Sequence, residues 1–149
     1  MDFEHLRTLC LSFPGTYEDH PFGPDTAVFR LRARRSDGSS APGKMFALAN
    51  PDAVPPVVSL KCEPALAVRL RAAHPGITGA WHLDKKHWNG VRLDGDLPAE
   101  MVRDLVEDSY DLVVASLPVA DRRAIGWSDE ATGPDLARTS GATAEDTGR

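Results

Sequence analysis

Hydrophobic residues recur at helical spacing in three segments of the chain, and turn or capping residues flank each segment. The first helix is predicted to begin after Asp2, which can cap it, and to end at residues 14–15. The second begins at Pro64 and ends at residues 74–76, and the third covers about 20 residues from Pro98. Their inward stripes are predicted to be Phe3, Leu6, Cys10 and Phe13; Leu66, Leu70 and Ala73; and Val102, Leu105, Val106, Val113 and Leu117.

Shorter segments show alternation, which predicts β-strands. Within residues 26–32, the apolar residues Ala27, Phe29 and Leu31 occupy alternate positions and would face the core. The opposite face of that strand would carry Val28, Arg30 and Arg32. Further strands are predicted at residues 44–49, 57–61 and 77–81 and from Asn89 onward, with a loop at residues 16–25 and a flexible hairpin connection at residues 34–43.

The stretch from residue 82 to residue 95 combines histidines, lysines and a tryptophan with a short strand. Asp84 can cap a single helical turn that ends at Trp88, because a carboxylate accepts from the free amides at a helix start. After this turn, Val91 and Leu93 would point inward, and Arg92 would share the outward side with Trp88.

These elements predict an α+β fold in which an antiparallel sheet has helices packed on one face and its other face open. The length suits one domain, predicted at residues 1–123. Residues 124–149 are rich in Ala, Thr, Gly, Ser and Asp, and they are predicted to form an acidic, disordered tail.

Five short motifs resemble those of the MmcQ/YjbR family. The most specific is His-Leu-Asp-Lys-Lys-His-Trp at residues 82–88, followed by Val-Arg-Leu-Asp-Gly at residues 91–95. The others are Phe-Pro-Gly-Thr at 13–16, Pro-Phe-Gly at 21–23, Lys-Met-Phe-Ala at 44–47 and Val-Ser-Leu-Lys-Cys at 58–62. The resemblance implies a frataxin-like (CyaY-like) fold and a bacterial DNA-binding protein with a double-wing arrangement.

The charge distribution leaves room for such a function, although the net charge is −5. Residues 124–149 hold five acidic and two basic residues, which leaves the domain with 17 acidic and 15 basic residues. A nearly neutral domain can still have one basic face, and Arg and Lys donate charge-assisted bonds to phosphates. The residues predicted to contact duplex DNA are Arg30, Arg32, Arg34, Arg35, Lys44, Lys61, Lys85, Lys86, His87, Trp88 and Arg92.

Two other functions fit the same sequence. The open face could instead bind a small molecule in an aromatic pocket formed by Trp81, His82 and Trp88. The domain could also be a protein-interaction module. A DNA binder should lose affinity steeply with salt, whereas a small-molecule binder should not. No sequence feature indicates an oligomeric state.

Catalytic, metal and membrane signatures are not found in the sequence. It contains no phosphate-binding loop, nucleophile elbow or HExxH motif, so we expect a non-enzymatic protein without a cofactor. His82 and His87 are five residues apart and would not share a helix face, so no metal site is predicted. Cys10 and Cys62 are expected to be buried and reduced. With no apolar run of about 20 residues, no membrane is expected as a partner, and a cytoplasmic location is predicted.

Overall fold

A computed structural model describes residues 1–32 and 43–126. The predicted connection at residues 34–42 and the predicted tail beyond residue 126 lie outside these ranges. The helices are α1 (Phe3–Ser12), α2 (Pro64–Ala73), α3 (Ala99–Ala115) and α4 (Val119–Ala124). The strands are β1 (Thr16–Asp19), β2 (Ala27–Leu31), β3 (Lys44–Ala49), β4 (Val57–Lys61), β5 (Ile77–Gly79) and β6 (Trp88–Arg92).

The strands form one antiparallel sheet in the order β1-β2-β3-β4-β6-β5. The first four strands follow one another as a meander. The chain then passes through α2 to the far edge of the sheet, and β6 returns between β4 and β5. α3 packs on β2, β3 and β4, while α2 packs on β5 and β6. The predicted α+β class with an open antiparallel sheet is confirmed.

The first strand corrects one prediction, because residues 16–25 were expected to be a loop. Thr16 to Asp19 pair instead with β2, in a register that places Tyr17 opposite Arg30 and Asp19 opposite Val28. β1 is a half-buried edge strand that lacks apolar alternation. Its position depends on the backbone pairing with β2, which the local sequence pattern does not reveal.

An irregularity in the pairing of β2 with β3 changes which side chains of β3 face the helices. Phe29 pairs with Ala47, but Arg30 pairs with Met45, so Phe46 is an extra residue in β3. Phe46 and Ala47 are both fully buried in the core. The ring of Phe46 meets Tyr110 of α3 edge to face, with centroids 5.5 Å apart, and Phe13 stacks on Tyr110 at 4.7 Å. The bulge therefore anchors α3 to the sheet.

The helices begin largely where the sequence predicts. Asp2 caps α1 by accepting from the His5 amide at 2.8 Å, and Pro64 is the first residue of α2. α2 is less buried than predicted, however: Ala67 is its buried residue, whereas Leu66 and Leu70 are half-buried and Ala73 is exposed. The reason is that α2 lies over the edge strands rather than over the centre of the sheet.

The end of the described chain adds a short helix. The third predicted helix ends at Ala115, and after Pro118 the chain forms α4, which the sequence pattern did not predict. Ile125, just beyond α4, packs against the core. It lies so close to Gly15, whose φ is +78°, that a Cβ on this glycine would come within 2.8 Å of the Ile125 side chain.

The capped turn before β6 is confirmed. The amides of His87 and Trp88 donate to the Asp84 carbonyl at 3.1 and 2.9 Å. The Asp84 carboxylate accepts from the Lys86 amide at 3.0 Å and lies 2.8 Å from Nδ1 of His87. The bond with His87, followed by that with the amide, holds the pKa of Asp84 below its usual 3.8. The turn fixes the point at which the chain enters β6.

Asp84→Ala should lower the thermal midpoint, because the variant loses the cap and the contact with His87. A lowered folded-state pKa means that the carboxylate stabilises the protein above pH 3.8, and that this contribution is lost as the pH falls through the lowered pKa. The difference from the native protein should therefore shrink in acid, as thermal scans at neutral and strongly acidic pH would reveal. Asp96→Ala, at an exposed aspartate of the following loop, is the matched control and should not change the midpoint.

Both cysteines are buried and unbonded, and Cys10 lies on the inward side of α1, as predicted. Among the helices of the described ranges, none has the length and apolar character required to cross a membrane.

Candidate functional site

The face of the sheet that points away from α3, here called the far face, is defined by strand register. Residues that pair across neighbouring strands share a face. One row across the whole sheet consists of Asp19, Val28, Leu48, Ser59, Gly90 and Thr78. A second pairing places Lys61 beside Trp88, and a third places Val57 beside Arg92. The predicted inward positions of β4 and β6 are buried: Val58, Leu60 and Val91 all belong to the core.

The centre of the far face is less open than the sequence predicted. Val28 was expected to face solvent with Arg30 and Arg32, but it is fully buried. Ser59, in the same row, is only 7% exposed, and Gly90 is buried. Val28 lies in register between Asp19 and Leu48 on the two neighbouring strands. Alternation along β2 does not reveal how much of the Val28 side chain these neighbours shield from solvent. Cationic side chains therefore flank an apolar centre.

Toward one edge of the sheet, the far face of β1 and β2 holds two arginines in different ways. Arg30 donates from Nε to Asp19 Oδ2 at 3.0 Å and from Nη1 to the Gly43 carbonyl at 2.8 Å. Its side chain is only 18% exposed. Arg32 is exposed, and its guanidinium carbon lies 4.1 Å from the centre of the Tyr17 ring. Arg30 is thus occupied by internal contacts, whereas Arg32 presents its charge to solvent.

Toward the other edge of the sheet, β4 and β6 provide Lys61 and Arg92. Lys61 lies next to the half-buried Trp88. Arg92 is exposed and makes two contacts of 3.0 Å with Oδ1 of Asp94, through Nε and through Nη2. Since Arg92 is paired with Val57, it lies four residues along the strand direction from Lys61, or about 13 Å.

Several residues of the predicted DNA-contacting set lie away from this face. Lys44 donates to Ser116 Oγ at the end of α3, at 3.1 Å, because the bulge turns the start of β3 toward the helices. The aliphatic chain of Lys85 packs against Gly79, and its carbonyl accepts from Arg71 of α2 at 2.8 Å. Lys86, in contrast, is exposed in the turn that leads directly into β6, two residues before Trp88. Arg34 and Arg35 lie outside the described residues.

The structure brings together two of the three residues of the predicted aromatic pocket. Trp81 is 78% exposed, and its ring meets that of His82 edge to face, with centroids 4.9 Å apart. His82 has a φ of +64°, which is uncommon for a residue other than glycine. Trp88 projects from β6 opposite Lys61. None of these three residues lines the cleft described below.

Charges are distributed unequally between the two sides of the sheet. The far face carries Arg30, Arg32, Lys61 and Arg92, with Asp19 beside Arg30 and Asp94 beside Arg92, and Lys86 is exposed in the turn that leads into β6. On the opposite side, the face of α3 directed away from the sheet is acidic and carries Glu100, Asp104, Glu107, Asp108 and Asp111. The helix-covered side also holds basic residues, namely Lys44, Arg69, Arg71, Lys85 and Arg103, so the concentration of negative charge is a property of the outer face of α3 and not of that whole side.

A cleft of about 900 Å³ lies on the helix-covered side, between α2 and α3. Its floor is formed by Leu60, Asn89 and Val91, and Cys62 and Lys61 also border it. Burial is the main cause that raises the pKa of the Cys62 thiol to about 11, followed by the nearby charges of Asp108 and Glu63. This cleft was not predicted from the sequence. The signal was Asn89 itself, a polar residue at an inward position of β6.

The described residues contain no group of three or more His, Cys, Asp or Glu side chains that could hold a metal ion. His87 instead contacts Asp84, and His20 lies 3.0 Å from Glu18, which also accepts from Arg7 of α1 at 2.6 Å. These contacts tie local elements together.

Comparison with known proteins identifies one family and several homologous structures. The family model described as YjbR matches residues 11–112. The chain is 30% identical to Uncharacterized protein YbdF of Escherichia coli O157:H7 over 122 residues, which cover 82% of this chain and 92% of that one. It is 43% identical to Uncharacterized protein YjbR of Escherichia coli K12 over 70 residues, covering 47% and 59%.

Solved structures show the same fold. The crystal structure of Deinococcus radiodurans protein DR2400, a DUF419 domain, matches with a TM-score of 0.74 at 36% identity, over 86% of this chain and 90% of that one. A Pseudomonas syringae protein matches with a TM-score of 0.61 at 34% identity, over 76% of this chain and 99% of that one.

Proposed function

The chain belongs to the YjbR family, and we propose that it binds duplex DNA through the far face, mainly by contacts to phosphates. The observation that carries the proposal is the set of cations on the far face, the exposed Arg32 and Arg92 and the half-buried Lys61, on the side of the sheet opposite the acidic outer face of α3. Phosphate contacts are the main source of affinity for proteins that do not read base sequence. The cytoplasm, where bacterial DNA is found, is part of the same proposal.

The spacing of the cations supports contact across a groove. Lys61 and Arg92 lie about 13 Å apart along the strand direction. The major groove of B-DNA is about 12 Å wide, so the two side chains are spaced to reach phosphates on its two borders. Arg32, directly after β2, and Lys86, in the turn that leads into β6, are further exposed cations. Arg30 is left out, because Nε and Nη1 already donate to Asp19 and Gly43 and its side chain is only 18% exposed.

A salt series with duplex DNA tests this proposal. Contacts from Arg32, Lys61, Lys86 and Arg92 would give a slope of log affinity against log salt of about −3.6, at about −0.9 per phosphate. Lys61→Ala should weaken binding to all sequences alike and flatten the slope by about 0.9. Asp94→Ala should strengthen binding, because it releases Arg92 from its carboxylate.

Lys44→Ala is the matched control, since it removes the same charge from a lysine held beside α3. It should leave the slope unchanged. Equal effects of Lys44→Ala and Lys61→Ala would contradict the proposed face. Absence of duplex binding at about 50 mM salt and micromolar protein would refute the DNA function altogether.

A further inference from the structure

We propose that the cleft between α2 and α3 is a second binding site, which takes a neutral, largely apolar small molecule that offers a carbonyl oxygen to Nδ2 of Asn89. This site is on the opposite side of the sheet from the far face, and it does not depend on the proposed DNA function. Four properties of the cleft support it: the size, the apolar walls, one unpaired buried donor and the charge of the lining.

The cleft has the size and surface of a small-molecule site. Its volume of about 900 Å³ lies within the range that holds drug-sized ligands, about 300–1,000 Å³. The walls are leucine side chains from both helices, and the floor is the helix-covered side of β4 and β6. The apolar lining residues are Leu60, Leu66, Leu70, Val91, Leu105 and Leu112.

Asn89 supplies the polar feature. The residue is 2% exposed, and Nδ2 has no hydrogen-bond partner among the described residues. Its Oδ1 accepts from Nη1 of Arg71 at 2.9 Å, and the same Nη1 also donates to the Lys85 carbonyl. Arg71 therefore fixes the orientation of the amide and assigns Nδ2 as the remaining donor. Because an unpaired buried N–H is costly, a ligand acceptor that pairs with it gains affinity and selectivity.

The charges around the cleft favour a neutral ligand over an anion. Three acidic residues, Glu63, Asp108 and Asp111, and two basic residues, Lys61 and Arg69, border it. The lining is therefore slightly negative, unlike a phosphate or carboxylate site. A ketone, ester or amide attached to an apolar body matches both the donor at the floor and the walls around it.

α2 is suited to adjust around such a ligand. Ala67 is its buried residue, and its other side chains are half-buried or exposed. The helix is held at its start by the Glu63 cap, whose carboxylate accepts from the amides of Ala65 and Leu66, and near its end by Arg71.

Two fluorescent probes test the proposal on the full chain. Prodan, a dimethylaminonaphthalene ketone, combines an apolar body with one carbonyl, and dimethylaminonaphthalene is the same body without it. The native protein should bind Prodan about tenfold more tightly than the carbonyl-free probe, the difference that one buried hydrogen bond provides. Cys62 borders the cleft, so each bound probe should slow the labelling of its thiol by a maleimide. This protection would place the bound probe in the cleft.

Two variants distinguish the contribution of the Asn89 donor to binding from that of the apolar cavity. Asn89→Asp keeps an acceptor for Arg71 but removes the donor, and Asn89→Leu removes both polar atoms. In either variant the preference for Prodan should fall below about twofold, while the carbonyl-free probe should bind as before. Arg32→Ala, on the far face, is the control and should change neither affinity.

Four results would overturn the proposal: no binding of either probe, no preference for Prodan in the native protein, an unchanged preference in both variants, or no protection of Cys62. If Asn89→Asp fails to fold, Asn89→Leu alone decides the outcome.

Discussion

Ser109→Ala should lower the free energy of unfolding by roughly 3 kcal/mol, because a buried carbonyl and a part-buried amide lose the hydroxyl that they share. Ser109 is fully buried on α3, and its hydroxyl donates to the Phe46 carbonyl at 2.6 Å. The same oxygen accepts from the Lys61 amide at 2.9 Å. β3 and β4 pair as far as Ala47 and Leu60, and beyond that point the serine connects the two strands.

Urea unfolding of the native protein and the variant measures this loss. Ser116→Ala is the matched control, because it removes a hydroxyl from an exposed position at the end of α3, and it should cost much less. The effect should extend to function, since Ser109 holds the end of β4, which carries Lys61 and Cys62. An equal cost for the two substitutions would show that the strands close the gap without the serine.

The protein should lose stability as the pH rises above 9, the ordinary pKa of a cysteine thiol, and Cys10 should account for much of this loss. Burial, followed by the charge of Glu18, raises the pKa of Cys10 to about 12. Between pH 9 and about 12, the unfolded thiol has lost its proton while the folded one keeps it. The folded state then binds more protons, so the free energy of unfolding falls by up to about 1.4 kcal/mol for each pH unit.

Denaturant unfolding at a series of pH values from neutral to about 10.5 measures this slope. Burial also raises the pKa of Cys62 to about 11 and that of Tyr110 to about 12, so some pH dependence should remain in Cys10→Ala. The variant will be less stable at neutral pH because the substitution leaves a cavity. Above pH 9, however, its free energy of unfolding should fall less steeply with pH, by nearly as much as one proton contributes, about 1.4 kcal/mol per pH unit. An identical slope in both proteins would show that Cys10 does not titrate with unfolding.

The candidate DNA-binding face was predicted in part. Alternation correctly placed Trp88 on the same side of β6 as Arg92, and Val58 and Leu60 on the inward side of β4. Alternation did not show which arginine side chain is engaged by other groups of the protein and which is exposed. Arg30 and Arg32 have the same parity, but a carboxylate from β1 occupies only the first of them. That carboxylate belongs to a strand that the sequence analysis had interpreted as a loop.

The sequence by itself determined the features that depend on neighbours along the chain. The caps at Asp2 and Asp84, the helix start at Pro64 and the inward residues of β4 and β6 follow from spacing and turn chemistry, because these forces act within a few residues.

Only the tertiary structure decided the features that depend on distant segments. The bulge in β3 turned Lys44 toward α3, and the pairing of β1 with β2 engaged Arg30. The separation of α2, which packs on β5 and β6, from α3, which packs on β2 to β4, left Asn89 at the floor of a cleft with one donor unpaired. A strand's periodicity gives the side on which a residue lies. What meets the residue there is fixed by strand register and helix packing, which join segments far apart in the chain.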